Sequence, residues 1–158
     1  MFKKILVCLD GSELAEKVLP YAEEQAECFN SELVLFMSVS EPYFMTPGLP
    51  GIPGVPLDTL NRENLIFTEK TAAETYLKSV AEKILSEKKI TVSFESAVGS
   101  AGQAIIEYSG SHGIELIALA THGRSGLGRV ILGSVADYVI RHSDLPVLLI
   151  HPSKAKLK

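Results

Sequence analysis

The chain is poor in the residues that most often mark a chemical site. It has only two cysteines, Cys8 and Cys28, in 158 residues, too few to build a metal centre by themselves. Cys8 lies in an apolar, strand-like run and Cys28 near the end of a helical one, so both read as reduced core thiols. The four histidines, His112, His122, His142 and His151, fall in the last third, with no His-x-x-x-His pair and no cysteine at ligand spacing. A metal site built from protein side chains is therefore not expected. No apolar run approaches the roughly 20 residues a membrane helix needs. Met1-Phe2-Lys3-Lys4 leads straight into Ile5-Leu6-Val7-Cys8-Leu9, without the longer apolar core and cleavage site of a secretory signal, so a cytoplasmic protein is expected. Excess positive charge is missing too: a net charge of −4 gives no general attraction to nucleic acid. The one basic run, Lys154, Lys156 and Lys158, reads as a solvated end.

What is present is an alternation. Five apolar segments read as strands: Lys4–Leu9, Glu32–Ser38, Thr91–Ala97, Ile114–Ala120 and Val147–Ile150. Most are near-continuous Val, Ile and Leu, the pattern of strands buried on both faces of a parallel sheet. Between them lie helical patterns. Over Glu13–Phe29, Ala15, Val18, Leu19, Ala22, Ala26 and Phe29 recur at helical spacing, after Ser12 as an N-cap. Pro20 falls inside this segment and should kink it or sit on its exposed side. Asn64–Lys88 places Ala73, Leu77, Val80, Ala81 and Ile84 on one stripe; Ala101–Ser111 and Ser134–His142 supply two more helices. Strand and helix in alternation give an α/β fold with helices on both faces of a parallel sheet and right-handed crossovers. The length suits a single domain, placed at 1–152, followed by a basic tail, 153–158.

One segment breaks the rhythm. Glu41–Leu57 holds five of the eight prolines and three glycines, so it lacks the N–H donors for a helix. Residues 41–60 are read as a flexible Pro/Gly-rich insertion, either a mobile surface flap or a lid over a ligand.

The most informative stretch is Ala120-Thr-His-Gly-Arg-Ser-Gly-Leu-Gly-Arg-Val-Ile-Leu-Gly133-Ser134. It joins an expected buried strand to an expected helix. A glycine-rich loop in that setting can turn backbone N–H groups toward an anion, and the helix N-terminus adds its positive dipole end. Ser134 can cap the helix or offer its hydroxyl to a phosphate oxygen. Arg124 and Arg129 add positive charge, and His122 can donate to a phosphate. The alternative is a mobile loop before a capped helix. The loop is no P-loop, since no Gly-Lys-Ser/Thr follows, and its glycine spacing is not that of a dinucleotide fingerprint. Asp10, at the end of the first strand, can accept from ribose hydroxyls or an adenine edge or hold a cation; alternatively it caps the following helix together with Ser12.

These pieces resemble the universal stress protein family over nearly the whole chain. The residues that carry the resemblance are Lys3-Lys-Ile-Leu-Val7 with Asp10-Gly-Ser12, the Leu33-Val-Leu35 strand, the Thr121-His-Gly-Arg-Ser-Gly-Leu127 and Leu132-Gly-Ser-Val-Ala136 blocks, and Leu145-Pro-Val-Leu-Leu-Ile150. ATP-binding members of that family share a motif of glycine, two residues, glycine, nine residues, then glycine and serine or threonine. Gly123, Gly133 and Ser134 match it, and Ala120 stands at the first glycine. The resemblance implies an open five-stranded parallel sheet of order 3-2-1-4-5, Rossmann-like and similar to adenine nucleotide alpha hydrolases. The general rule for open α/β sheets puts a ligand in the same place, at the switch point between strands 1 and 4. By resemblance, Val39 meets adenine through its main chain. Leu119, Ala120, His122 and Gly123 lie along the ribose and phosphates, and Gly133, Ser134 and Val135 hold the phosphate end.

The expected function is that of a cytoplasmic stress-response regulator binding ATP, or AMP or ADP, with any Mg or Mn held mainly through the phosphates. The loop has donors but neither a lysine nor paired carboxylates nearby, so at most slow hydrolysis is expected. The competing readings are an interaction module that has lost nucleotide binding, for which Ala120 is the mark, and a weak ATPase. Val147–Ile150, a short apolar strand at a sheet edge, should be covered. Resemblance and edge physics both suggest a homodimer, the alternative being cover by the chain's own tail. No nucleic acid or membrane is expected as a partner, and the protein partner is unknown.

Overall fold

The computed structural model describes residues 1–40, 59–121 and 132–151. Strands β1 (Lys4–Cys8), β2 (Glu32–Val39), β3 (Thr91–Val98), β4 (Leu116–Ala120) and β5 (Val147–Ile150) form one parallel sheet in the order β3-β2-β1-β4-β5. Strand residues alternate between two cores. Ile5, Val7, Leu33, Leu35, Leu116 and Ala118 face one layer, and Leu6, Val34, Phe36, Ile117 and Leu119 the other. Burial on both faces is why these segments read as unbroken apolar runs.

Helices α1 (Leu19–Phe29) and α2 (Thr59–Glu87) cover the first face through Leu19, Ala22, Ala26, Leu77, Val80, Ala81 and Ile84. Helices α3 (Ala101–Ser111) and α4 (Ser134–His142) cover the second through Ala104, Ile105, Ala136 and Val139. The last two packed helices meet closely. A Cβ on Gly102 would lie 2.6 Å from Cδ1 of Tyr138, so α3 can lie this near α4 only with glycine there.

Two helix expectations change. The segment before α1 is not one kinked helix: Ala15–Val18 form a 3₁₀ turn, and α1 begins at Leu19 with Pro20 in its first turn. Proline's missing N–H has no helical partner to lose at that position, so the chain restarts there instead of bending. Helix α1 ends at Asn30 in the left-handed conformation (φ 52°, ψ 50°), which a short polar side chain tolerates better than most. Helix α2 starts five residues earlier than the apolar stripe suggests, so the last two residues assigned to the Pro/Gly insertion are helical. No proline or glycine occurs from Leu57 to Glu87, and nothing stops the helix from extending toward the insertion. Residues 61–65 are exposed, so periodicity carries no trace of them.

Candidate functional site

The chain runs β1-β2-β3 toward one edge of the sheet and β4-β5 toward the other, so the crossovers diverge at the carboxyl ends of β1 and β4. That divergence leaves a crevice. On its β1 side, the Leu9 N–H donates to the Phe36 carbonyl at 2.8 Å, one residue past the strand. The chain then turns sharply through Gly11 at φ 79°, a left-handed conformation that favours glycine. Ser12 stops the turn: its Oγ accepts the Ala15 N–H at 3.1 Å. Asp10 Oδ1 accepts the Ser12 N–H at 2.9 Å. The exposed Asp10 carboxylate thus shapes the turn with one oxygen while bordering the crevice.

On the β4 side, Thr121 follows the strand, and its N–H donates to the Ile150 carbonyl at 2.9 Å. Gly133 is the N-cap of α4 with φ −61° and ψ 155°. Its carbonyl accepts the Asp137 N–H at 2.9 Å, the first turn of the helix. The N–H groups of Ser134, Val135 and Ala136 therefore have no partner within the helix, the ordinary state of a first turn. Together they make an anion-favouring end. Ala101 and Ile105 bring the start of α3 to the same crevice.

Between these walls lies a cavity of about 450 Å³, within the range of small-molecule sites. Cys8, Phe36, Met37, Ile105 and Leu119 form much of its apolar lining; Asp10, Ser38, Thr121 and Ser134 supply polar groups. Burial pushes the Cys8 thiol up to about 12, so it stays protonated and inert at neutral pH. An apolar bed for a flat ring, hydroxyl and main-chain groups around it, and an anion-favouring helix end suit a nucleotide better than an extended polymer.

Of the residues singled out from sequence, Asp10, Leu119, Ala120, Gly133, Ser134 and Val135 all line this cavity. His122, Gly123 and Arg124 lie outside the described residues, as do residues 41–58 and 152–158. Val39 is placed differently. It borders a neighbouring hollow with Gly11, Ser40 and Tyr76, and its carbonyl accepts the Gly99 N–H at 2.9 Å. Its main chain is turned toward β3. Strand alternation then turns that of Ser38 the other way, past the end of β1 and over the crevice. The sequence alone assigns no role to Ser38 or Thr121; a polar residue within one position of the carboxyl end of an apolar strand is the signal that marks both. Ala120 sits in regular strand backbone, and its side chain packs toward the α1–α2 face. Cys28 is exposed, which corrects its reading as a core thiol: it lies on the solvent side of α1, away from the Ala22–Ala26 stripe. Among the described residues, no three His, Cys, Asp or Glu side chains come together as a metal site, and no helix is long and apolar enough to cross a membrane.

Comparison with known proteins agrees with this architecture. The chain is 30% identical over 152 residues to universal stress protein Sll1388 of Synechocystis, covering 94% of this chain and 97% of that one. It is 31% identical over 153 residues to universal stress protein YxiE of Bacillus subtilis, covering 95% and 99%. Among solved structures, universal stress protein UspA from Lactobacillus plantarum superposes with a TM-score of 0.73 at 23% identity, covering 94% of this chain and 97% of that one. A universal stress protein in complex with cAMP gives 0.66 at 20% identity, covering 96% and 98%. A family member from Arabidopsis thaliana with AMP bound gives 0.63 at 13% identity, covering 99% and 95%. The family model itself matches residues 1–151, and the chain belongs to the universal stress protein family.

Proposed function

We propose that this chain is an ATP-binding, or adenine nucleotide-binding, stress-response regulator of the cytoplasm that acts as a homodimer. One observation carries the reading: the first turn of α4, where the N–H groups of Ser134, Val135 and Ala136 have no partner within the helix, opens on a cavity that Asp10 borders and Cys8, Phe36 and Leu119 help to line. Phosphates suit the helix end, and the apolar bed suits the purine. Asp10 retains a carboxylate oxygen for a ribose hydroxyl. The main chain of Ser38, facing the crevice where that of Val39 does not, fits the adenine edge: its carbonyl can accept from the amino group and its N–H can donate to a ring nitrogen. The cAMP and AMP complexes of related proteins support this choice of ligand.

A divalent ion such as Mg or Mn would be held mainly by the phosphates, with Asp10 the nearest carboxylate among the cavity-lining residues. The described residues around the cavity offer no second carboxylate and no lysine to stabilise a transferring phosphoryl group, so the site is suited to holding a nucleotide and at most to slow hydrolysis. Ala120 does not weigh against binding through its backbone, because a strand conformation suits alanine and glycine alike.

The test is mass spectrometry of small molecules released from the purified, denatured protein, with calorimetry of the emptied protein against ATP, ADP and AMP. Binding of none of them would leave an interaction module of the same fold.

A further inference from the structure

Among the described residues, Thr121 is the most deeply buried polar residue of the cavity wall, at 1% exposure. It sits where three parts of the site meet. Its N–H is tied to the Ile150 carbonyl at 2.9 Å, which fixes its backbone to the sheet. Its Oγ1 accepts the Gly133 N–H at 3.3 Å, so its side chain reaches the N-cap of α4. Leu119, two residues earlier on the same strand, faces the α3–α4 layer, and alternation sends the Thr121 side chain to that side as well.

A hydroxyl has one proton to give and two lone pairs to offer. In Thr121 a lone pair is engaged by Gly133, and among the described residues nothing accepts the proton. A buried donor at a cavity wall, beside the free N–H groups of a helix start, is a donor held ready for an anionic oxygen. Because its backbone is locked to β5, little ordering remains to be done when the ligand arrives.

We propose that Thr121 reads phosphate in this cleft, donating its hydroxyl proton to a phosphate oxygen seated at the N-terminus of α4 while keeping Gly133 in place. The proposal rests on the nucleotide reading above and adds a residue to it. The hydroxyl carries the effect: valine has the same shape and lacks both the donor and the acceptor, whereas serine keeps both.

The experiment is calorimetry of wild-type, Thr121→Val and Thr121→Ser proteins against ATP and against adenosine, with thermal melts of all three. A hydrogen bond to a charged group predicts ATP binding about tenfold weaker or worse in Thr121→Val. Adenosine, which has no phosphate, should bind the two proteins alike, and Thr121→Ser should bind ATP within about threefold of wild type. Unchanged ATP affinity in Thr121→Val would overturn the proposal and leave the nucleotide reading standing. Equal losses for ATP and adenosine would also overturn it, reducing Thr121 to a prop for the fold. A wild-type protein that binds neither ligand would overturn the nucleotide reading, and the role of Thr121 with it.

Discussion

Gly133 separates the cost of folding from the cost of binding. Among the described residues a Cβ added there meets nothing within 4 Å, and its φ of −61° is open to any residue. Gly133→Val should therefore melt within a few degrees of wild type, yet lose ATP binding, because the branched side chain occupies space beside the anion-favouring helix end. Wild-type affinity in calorimetry would be the contrary result. Ala120 works in the opposite sense. Ala120→Gly should lower stability by about 0.5–1 kcal/mol, the cost of glycine inside a strand, and change ATP affinity by no more than about fivefold in titrations. The two cysteines give a further contrast. At pH 8 iodoacetamide should label exposed Cys28 well before Cys8, whose thiol is held at about 12 by burial. The folded state keeps the Cys8 proton above the ordinary thiol range, where the unfolded state releases it. Stability from this group is thus complete below an unfolded value near 9 and is lost as pH rises toward 12. Denaturant melts of Cys8→Ala should show a shallower alkaline decline than wild type.

Among the elements, the pairing of α3 with α4 bears most directly on the site, since the starts of both helices line the cavity. Gly102→Ala would put its methyl carbon 2.6 Å from Cδ1 and 2.8 Å from Cγ of the Tyr138 ring. Cγ lies near the root of that side chain, so the ring cannot swing clear without moving α4. A loss of about 1–3 kcal/mol in stability is expected, read by chemical denaturation, with partial recovery in Gly102→Ala/Tyr138→Ala. No sequence pattern pointed to Gly102, because a glycine on a helix face reports nothing about the neighbour it admits. Elsewhere the sequence was legible wherever an element buries a face. The bounds of α3 and α4 coincide with the expected ones, and the strands agree within two residues. It was illegible where burial carries no signal: along the exposed residues 61–65 of α2, and at Pro20, where composition cannot tell a kink from a restart. Val39 and Ser38 show a second limit. Residue type does not reveal which neighbouring strand a main chain faces; that depends on strand order, which becomes visible only when Gly99 N–H is found on the Val39 carbonyl.

At the scale of the whole molecule, assembly turns on β5, an edge of the sheet. The carbonyls of Pro146 and Ile150 accept from Ile117 and Thr121 of the β4 side. Alternation therefore points the N–H and carbonyl groups of Val147 and Leu149 away from the sheet. Antiparallel pairing with the same strand of a second copy, about a two-fold axis at Leu148, would let Val147 of each copy exchange hydrogen bonds with Leu149 of the other. Charge substitutions test this poorly, because Leu148 and Leu149 also rest on the chain's own two cores, and lysine there would harm the monomer. Leu149→Pro is more selective. It removes an outward N–H, which the β4–β5 ladder does not use, and proline is tolerated on edge strands. Leu149→Ala is its control, losing similar packing while keeping the donor. The expected outcome in light scattering at micromolar concentration is a dimer for wild type and Leu149→Ala, and a folded monomer for Leu149→Pro. A wild-type monomer would refute the homodimer outright. A Leu149→Pro dimer would move the interface away from β5, because a strand pairing of this length cannot give up a central donor from each copy and keep its register.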